Sequence, residues 1–116
     1  MSKIKIYHNP RCSKSRIGLG VLQDAKIDFE IVKYLDDVPL EKELKEIIKK
    51  LGIKPIELIR KGEKIWKENF KGKELTDAEI IKAMVENPKL IERPIVIKGD
   101  KAVIGRPSEN IEALIN

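Results

Sequence analysis

The sequence contains very little cysteine or histidine: among its 116 residues there is one of each, Cys12 and His8. One cysteine cannot form an internal disulfide, and one cysteine with one histidine cannot supply the ligand cluster of a typical zinc site. We therefore expect no metal site. Because no leader-like segment opens the chain, we also expect a cytoplasmic protein whose thiol stays reduced.

Long apolar runs and aromatic residues are also scarce. No run approaches the roughly 18 residues that a membrane span needs, so we expect no membrane interaction. Aromatic residues make up 4% of the chain, which predicts an aliphatic core. The net charge is +5, and residues 41–73 hold the excess with eleven Lys or Arg against six Asp or Glu. These charges alternate in sign as on a solvated helix and lack interleaved aromatics, so nucleic acid is not an expected partner.

The periodicity of apolar residues predicts an α/β protein made of one domain, residues 1–116. The expected elements are a strand at 3–7, a helix at 13–25, a strand at 29–32, a helical insertion at about 40–88, strands at 95–97 and 102–104, and a terminal helix opened by residues 107–109. The first helix carries Ile17, Val21, Leu22 and Ala25 on one face. This order, β-α-β and then β-β-α, predicts a thioredoxin-like fold with a small mixed four-stranded sheet.

Individual residues of the helical insertion predict where its helices begin and end. Gly52 should end its first helix, and Pro55 should open a short helix that Arg60 closes. Thr76 and Glu79 have the spacing of a capping box at the start of a further helix.

Cys12 follows the first predicted strand and precedes the first helix. A thiol at such a turn faces unpaired backbone N–H groups and the positive end of the helix dipole, which favour the thiolate. Arg11, Lys14 and Arg16 add positive charge nearby. The alternative is an inert buried cysteine, but the polar segment from His8 to Arg16 favours the reactive interpretation.

Arginine is used sparingly, at five positions against nineteen lysines. Arginine grips an oxyanion with two parallel hydrogen bonds, which lysine cannot do. Arg93 and Arg106 both precede prolines near strand ends, where they could lie beside the Cys12 turn. We interpret them as anion ligands, although structural ion pairs remain the alternative for each arginine.

Other side chains near the cysteine have two interpretations. His8 could tune the thiolate or be a half-buried residue with a satisfied hydrogen bond. Ser13 and Ser15 could donate to the thiolate or cap the helix. Pro94 opens the third strand, a position that suits a first residue, an edge or a cis turn.

Together these residues resemble a known family. His8-Asn9-Pro10, Cys12, Ser15-Arg16, Arg60, Arg93-Pro94-Ile95 and Arg106-Pro107-Ser108 are similar, in order and spacing, to the motifs of the glutaredoxin-linked arsenate reductases. The resemblance implies a thioredoxin-like fold with Cys12 as nucleophile. It also implies that Arg60, Arg93 and Arg106 bind arsenate, that Pro94 is cis, and that His8 assists the thiolate, with Ser15 and Arg16 in support.

The expected reaction is reduction of arsenate to arsenite with no bound cofactor. A single thiol cannot complete it, so an external thiol must supply electrons, and the family implies glutathione and glutaredoxin. Two alternatives remain. One is a monothiol glutaredoxin-like exchange protein, which would need Cys12 but not the arginines. The other is a non-enzymatic regulator that binds a protein such as RNA polymerase; a related branch of this kind carries a second cysteine where this chain has Ser15.

Overall fold

The computed structural model describes residues 4–116. Within these residues, four strands and five α-helices follow one another. They are β1 (Ile4–Tyr7), α1 (Ser13–Asp24), β2 (Glu30–Val32), α2 (Glu41–Leu51), α3 (Lys64–Asn69), α4 (Asp77–Glu86), β3 (Ile95–Lys98), β4 (Lys101–Ile104) and α5 (Glu109–Ile115), with 3₁₀ turns at Pro55–Leu58 and Pro88–Leu90. Lys3, which the sequence assigns to the first strand, lies outside the described residues.

The strands form one mixed sheet in the order β2-β1-β3-β4. β1 pairs in parallel with β2, as a βαβ unit requires, and antiparallel with β3; β3 and β4 form the hairpin expected around Gly99. This arrangement confirms the predicted thioredoxin-like fold. The core beneath α1 and α5 is aliphatic, as the low aromatic content predicts, and its fully buried members include Ile6, Leu22, Val96 and Ile111.

The buried face of α1 differs from the predicted one. Leu22 is buried as predicted, but Ile17 is 52% exposed and Ala25 is exposed, whereas Ser15 and Gly18 are buried. Gly18 lies so close to Pro94 that a Cβ there would be 2.7 Å from the Pro94 Cγ. Besides Leu22, the helix therefore packs through two small residues, Ser15 and Gly18, which the periodicity of apolar residues does not predict.

The chain forms two compact units. One comprises the residues up to Asp37 together with Arg93–Asn116, and it contains the whole sheet; the other is Val38–Glu92. The division of the chain into domains, a single one at 1–116 with an insertion at about 40–88, stays a prediction.

Within Val38–Glu92, some of the local predictions are confirmed. α2 ends at Gly52, which adopts the left-handed conformation with φ of 69°. Thr76 and Glu79 form the reciprocal capping box of α4. The short helix at Pro55 is a 3₁₀ turn that ends at Leu58, so Arg60 does not close it as expected. Instead Arg60 follows the β-bridge between Ile59 and Ile91 and donates its backbone N–H to Leu90.

The helix α3, of only six residues, was not predicted from the sequence. Its Trp66 is buried and stacks on Phe70 with ring centroids 5.6 Å apart. Over residues 4–116, none of the helices has the length and apolar character needed to cross a bilayer.

Candidate active site

The turn before α1 is built by Asn9. Its carbonyl accepts the Cys12 backbone N–H at 3.0 Å, and its side-chain Oδ1 accepts the Arg11 N–H at 3.0 Å. An asparagine that bonds the backbone two residues ahead is a standard turn former, and Pro10 restricts the next position further. The turn places Cys12 at the N-cap of α1 in an extended conformation.

Cys12 is partly buried and its thiol is adapted to carry negative charge. Burial by itself raises the pKa of Cys12, but the backbone N–H groups of Ser15 and Lys14 and the guanidinium of Arg106 outweigh that effect. The pKa of Cys12 is therefore below its ordinary value. The helix start favours the thiolate, as the sequence predicts, and the added positive charge comes from Arg106.

Arg106 reaches Cys12 from the far end of β4. Its Nη2 lies 3.5 Å from the Cys12 Sγ, while its Nε donates to the backbone carbonyl of Arg93 at 2.9 Å. Because Nε is held by this carbonyl, the outer edge of the guanidinium is fixed beside the sulfur. The structure thus brings together Cys12 and Arg106, and it places the backbone of Arg93, a buried residue, against the same guanidinium.

Pro94 connects Arg93 to β3 and fixes the backbone geometry between them. The Arg93–Pro94 bond is cis, as the resemblance implies, and Arg106–Pro107 is also cis. Pro94 is fully buried, and its carbonyl accepts the Gly105 N–H at 2.8 Å. A Cβ on Gly105 would lie 2.6 Å from the Cδ1 of Ile111 and 2.9 Å from the Cγ of Pro94, so this close approach requires glycine.

His8 and Ser15 form a buried polar network behind the cysteine. The Ser15 Oγ accepts the Asn9 N–H at 2.9 Å and lies 2.7 Å from the His8 Nδ1. The two side chains therefore share a short hydrogen bond, and the same hydroxyl oxygen ties the backbone of Asn9 to α1. The pKa of His8 is lowered mainly by burial; a backbone interaction with Ser15 opposes the shift, and the charges of Lys33 and Arg16 add to it. Burial thus favours the neutral imidazole, and a role for His8 in assisting the thiolate stays a prediction.

Two arginines of the predicted site make other contacts. The Arg16 Nη1 donates to the carbonyl of Pro10 at 3.1 Å and so braces the turn. Arg60 lies in Val38–Glu92, where its guanidinium pairs with Glu63 at 2.9 Å and Glu92 at 3.3 Å. These contacts are those of the ion-pair alternative; a role for Arg60 in binding substrate stays a prediction. Over the described part of the chain, no group of three or more His, Cys, Asp or Glu side chains could hold a metal ion.

Three residues have structural roles that were not predicted from the sequence: Asn9, Gly18 and Gly105. Asn9 carries a usable signal, because Asn-Pro typically initiates a turn. The two glycines carry none, since their role depends on contacts with Pro94 and Ile111 that only the folded chain creates.

The mixed sheet and the cysteine at the start of α1 define a thioredoxin-like protein with a single cysteine, whose thiol lies beside an arginine. Comparison with known proteins identifies the family: residues 7–114 match the ArsC family, and the chain belongs to it. It is 44% identical to an arsenate reductase of Neisseria meningitidis over 99% of this chain and all of that one. It is 46% identical to an arsenate reductase of Haemophilus influenzae, covering 91% and 93% of the two chains. The solved structure of an arsenate reductase from Vibrio cholerae superposes with a TM-score of 0.91 at 40% identity and 97% coverage of each chain.

Proposed function

We propose that the protein reduces arsenate to arsenite, with Cys12 as the nucleophile. The thiolate attacks arsenic and forms a sulfur–arsenic bond, while one arsenate oxygen takes up protons and leaves as water. Arg106 and Arg93 neutralise the charge of the oxyanion, which would otherwise repel the thiolate. Arg60 is the third proposed ligand, and it would have to exchange one of its carboxylate partners for the substrate.

The two electrons come from two external thiols, because Cys12 carries the arsenic adduct only as an intermediate and returns to its starting state. We propose that the glutathione thiol bonds to arsenic in the Cys12 adduct and displaces a second oxygen as water. The glutaredoxin thiol then attacks the glutathione sulfur, which forms the disulfide and leaves the electron pair on arsenic, and water finally releases arsenite from Cys12. In total, arsenate and two thiols give arsenite, one disulfide and one water, and Cys12 returns to its starting state. The requirement for an external thiol follows from the single cysteine.

The contact between Arg106 and Cys12 is the observation that carries the proposal. A guanidinium held 3.5 Å from a partly buried thiol has donors for both a thiolate and an anion bound beside it. The names of the relatives support arsenate as that anion. A glutaredoxin-like exchange protein has no need for an arginine in this position, because its disulfide substrate carries no oxyanion at the reacting sulfur.

The test is arsenate-dependent NADPH oxidation coupled through glutathione, glutaredoxin and glutathione reductase. We expect activity in the wild type and none in Cys12→Ser. Arg106→Ala and Arg93→Ala should each lower kcat/KM for arsenate by about 10²-fold, the usual cost of removing one oxyanion donor. Arg93→Lys serves as a second variant if the alanine substitution impairs folding, which circular dichroism would show.

Arg11→Ala is the matched control, because Arg11 is exposed and adjacent to Cys12 but absent from the contacts of its sulfur. It should retain nearly full activity. Reduction of a glutathione mixed disulfide by the same proteins separates the alternative function. If Arg93→Ala loses neither activity, or if the wild type reduces only the mixed disulfide, the arsenate proposal is wrong.

A further inference from the structure

The unit Val38–Glu92 contains a cavity that the proposed reaction does not use. Its volume is about 410 Å³, within the range of small-molecule sites. Trp66, Phe70 and Ile80 form part of an apolar wall, and Trp66 and Ile80 are themselves buried. The stacked rings of Trp66 and Phe70 give this wall a fixed aromatic surface.

The polar lining of the cavity is mostly basic. Lys61, Lys71 and Lys73 line it with exposed side chains, against one acidic residue, Asp77. Gly72 lies between two of these lysines with φ of 82°, a left-handed conformation that favours glycine. Gly72 lines the cavity together with Lys71 and Lys73, so three consecutive residues form part of its rim.

The charge of the whole chain agrees with this local imbalance. Residues 41–73 hold the entire positive excess of the sequence, and the cysteine site uses none of it except Arg60. A cavity with an apolar wall and a basic rim is complementary to a ligand that has an apolar body and an acidic group. Burial of the apolar body supplies most of the binding energy, and the lysines select for negative charge.

We propose that this cavity is a binding site for a small amphipathic anion, an apolar molecule carrying one carboxylate, sulfonate or phosphate group. The site is separate in sequence from Cys12 and does not depend on arsenate reduction. We call this cavity the lysine-rimmed cavity; the residues that define it are Lys61, Trp66, Phe70, Lys71, Lys73 and Ile80.

The chain provides its own reporter, because Trp66 is its only tryptophan. Octanoate is a suitable probe, with octanol and octylammonium as the neutral and cationic molecules of the same length. We expect octanoate to change Trp66 fluorescence saturably and to shift the amide resonances of Gly72 and Leu75. Octanol should bind more weakly, octylammonium more weakly still, and added salt should weaken octanoate selectively.

The variant Lys71→Gln/Lys73→Gln should raise the Kd for octanoate by about 2- to 30-fold, the range expected from two exposed charge pairs. It should leave octanol binding unchanged. Lys42→Gln/Lys45→Gln is the matched control, since it removes the same charge from exposed positions of α2 that do not line the cavity. The proposal is overturned if octanoate gives no saturable change, if octanol binds as tightly, or if the two double variants weaken octanoate equally.

Discussion

Two glycines of α1 allow the packing around Pro94 to be tested with the same substitution. In Gly18→Ala the new Cβ would lie 2.7 Å from the Cγ of Pro94 and 3.0 Å from the Cδ1 of Ile111. Both distances are shorter than the roughly 3.5–4.0 Å of a favourable carbon–carbon contact. In Gly20→Ala the new Cβ would meet no atom within 4 Å. Both positions are interior to the same helix, so the change in helix preference is the same.

The expected magnitudes follow from these contacts. Alanine in place of glycine stabilises a helix interior by about 0.5–1 kcal/mol, and this is the whole effect expected at position 20. At position 18 an overpacking cost of about 1–3 kcal/mol opposes it. Pro94 cannot rotate away, because its side chain is a ring closed on the backbone. The free energies of unfolding of the two variants should therefore differ by about 1–3 kcal/mol.

Urea denaturation followed by far-UV circular dichroism measures this difference. Fluorescence is unsuitable, because Trp66 lies in the other compact unit. Displacement of Pro94 should also disturb Arg93 and with it the contact between Arg106 and Cys12, so Gly18→Ala should react more slowly with iodoacetamide at pH 7 while Gly20→Ala should not. Equal stability of the two variants would refute the reasoning, since it would mean that Pro94 and Ile111 yield without cost.

Three further outcomes test individual residues. The pH midpoint of Cys12 alkylation should lie below the ordinary thiol value of about 8.5 and rise in Arg106→Ala. Because the pKa of Cys12 is lower in the folded state, its thiolate also stabilises the fold. This contribution is complete above the pKa of the unfolded state and is lost as the pH falls through the pKa of the folded state. The NMR titration of His8, the only histidine, should have a midpoint below 6.5, and a midpoint above that value would contradict its burial as a neutral group. Thr76→Ala should lower the free energy of unfolding by about 1 kcal/mol through loss of the α4 cap, whereas Thr76→Ser should retain it, as denaturation of both variants would show.

The alternation and spacing of apolar residues predicted most of the elements of the fold. The strand around Ile6 and the hairpin around Gly99 were predictable because each depends on local periodicity or turn chemistry. The buried face of α1 was not predictable in this way. Gly18 is buried because Pro94 needs the space, and that need arises from a residue more than seventy positions away.

The candidate site likewise contains residues that the sequence could predict and contacts that it could not. Cys12 could be singled out from its neighbours in sequence, and Arg106 from the contrast between scarce arginine and abundant lysine. The pairing of Arg60 with Glu92 could not be anticipated, because Glu92 is distant in sequence and lies next to the bridge between Ile59 and Ile91 that brings the two segments together.

The source of the positive charge at Cys12 shows why sequence proximity is a weak guide to electrostatics. Arg11 and Lys14 are close to Cys12 in the chain, yet their side chains are exposed, where solvent and salt screen their charge. Arg16 instead directs its guanidinium to the carbonyl of Pro10. Arg106 is 94 residues away and is partly buried, with one nitrogen held by a backbone carbonyl and another beside the sulfur. The backbone N–H groups of Ser15 and Lys14 lower the pKa of Cys12 most, and Arg106 adds to their effect. We therefore expect a variant that displaces Arg106 to raise the pKa of Cys12 even when every charge near the cysteine in sequence is kept.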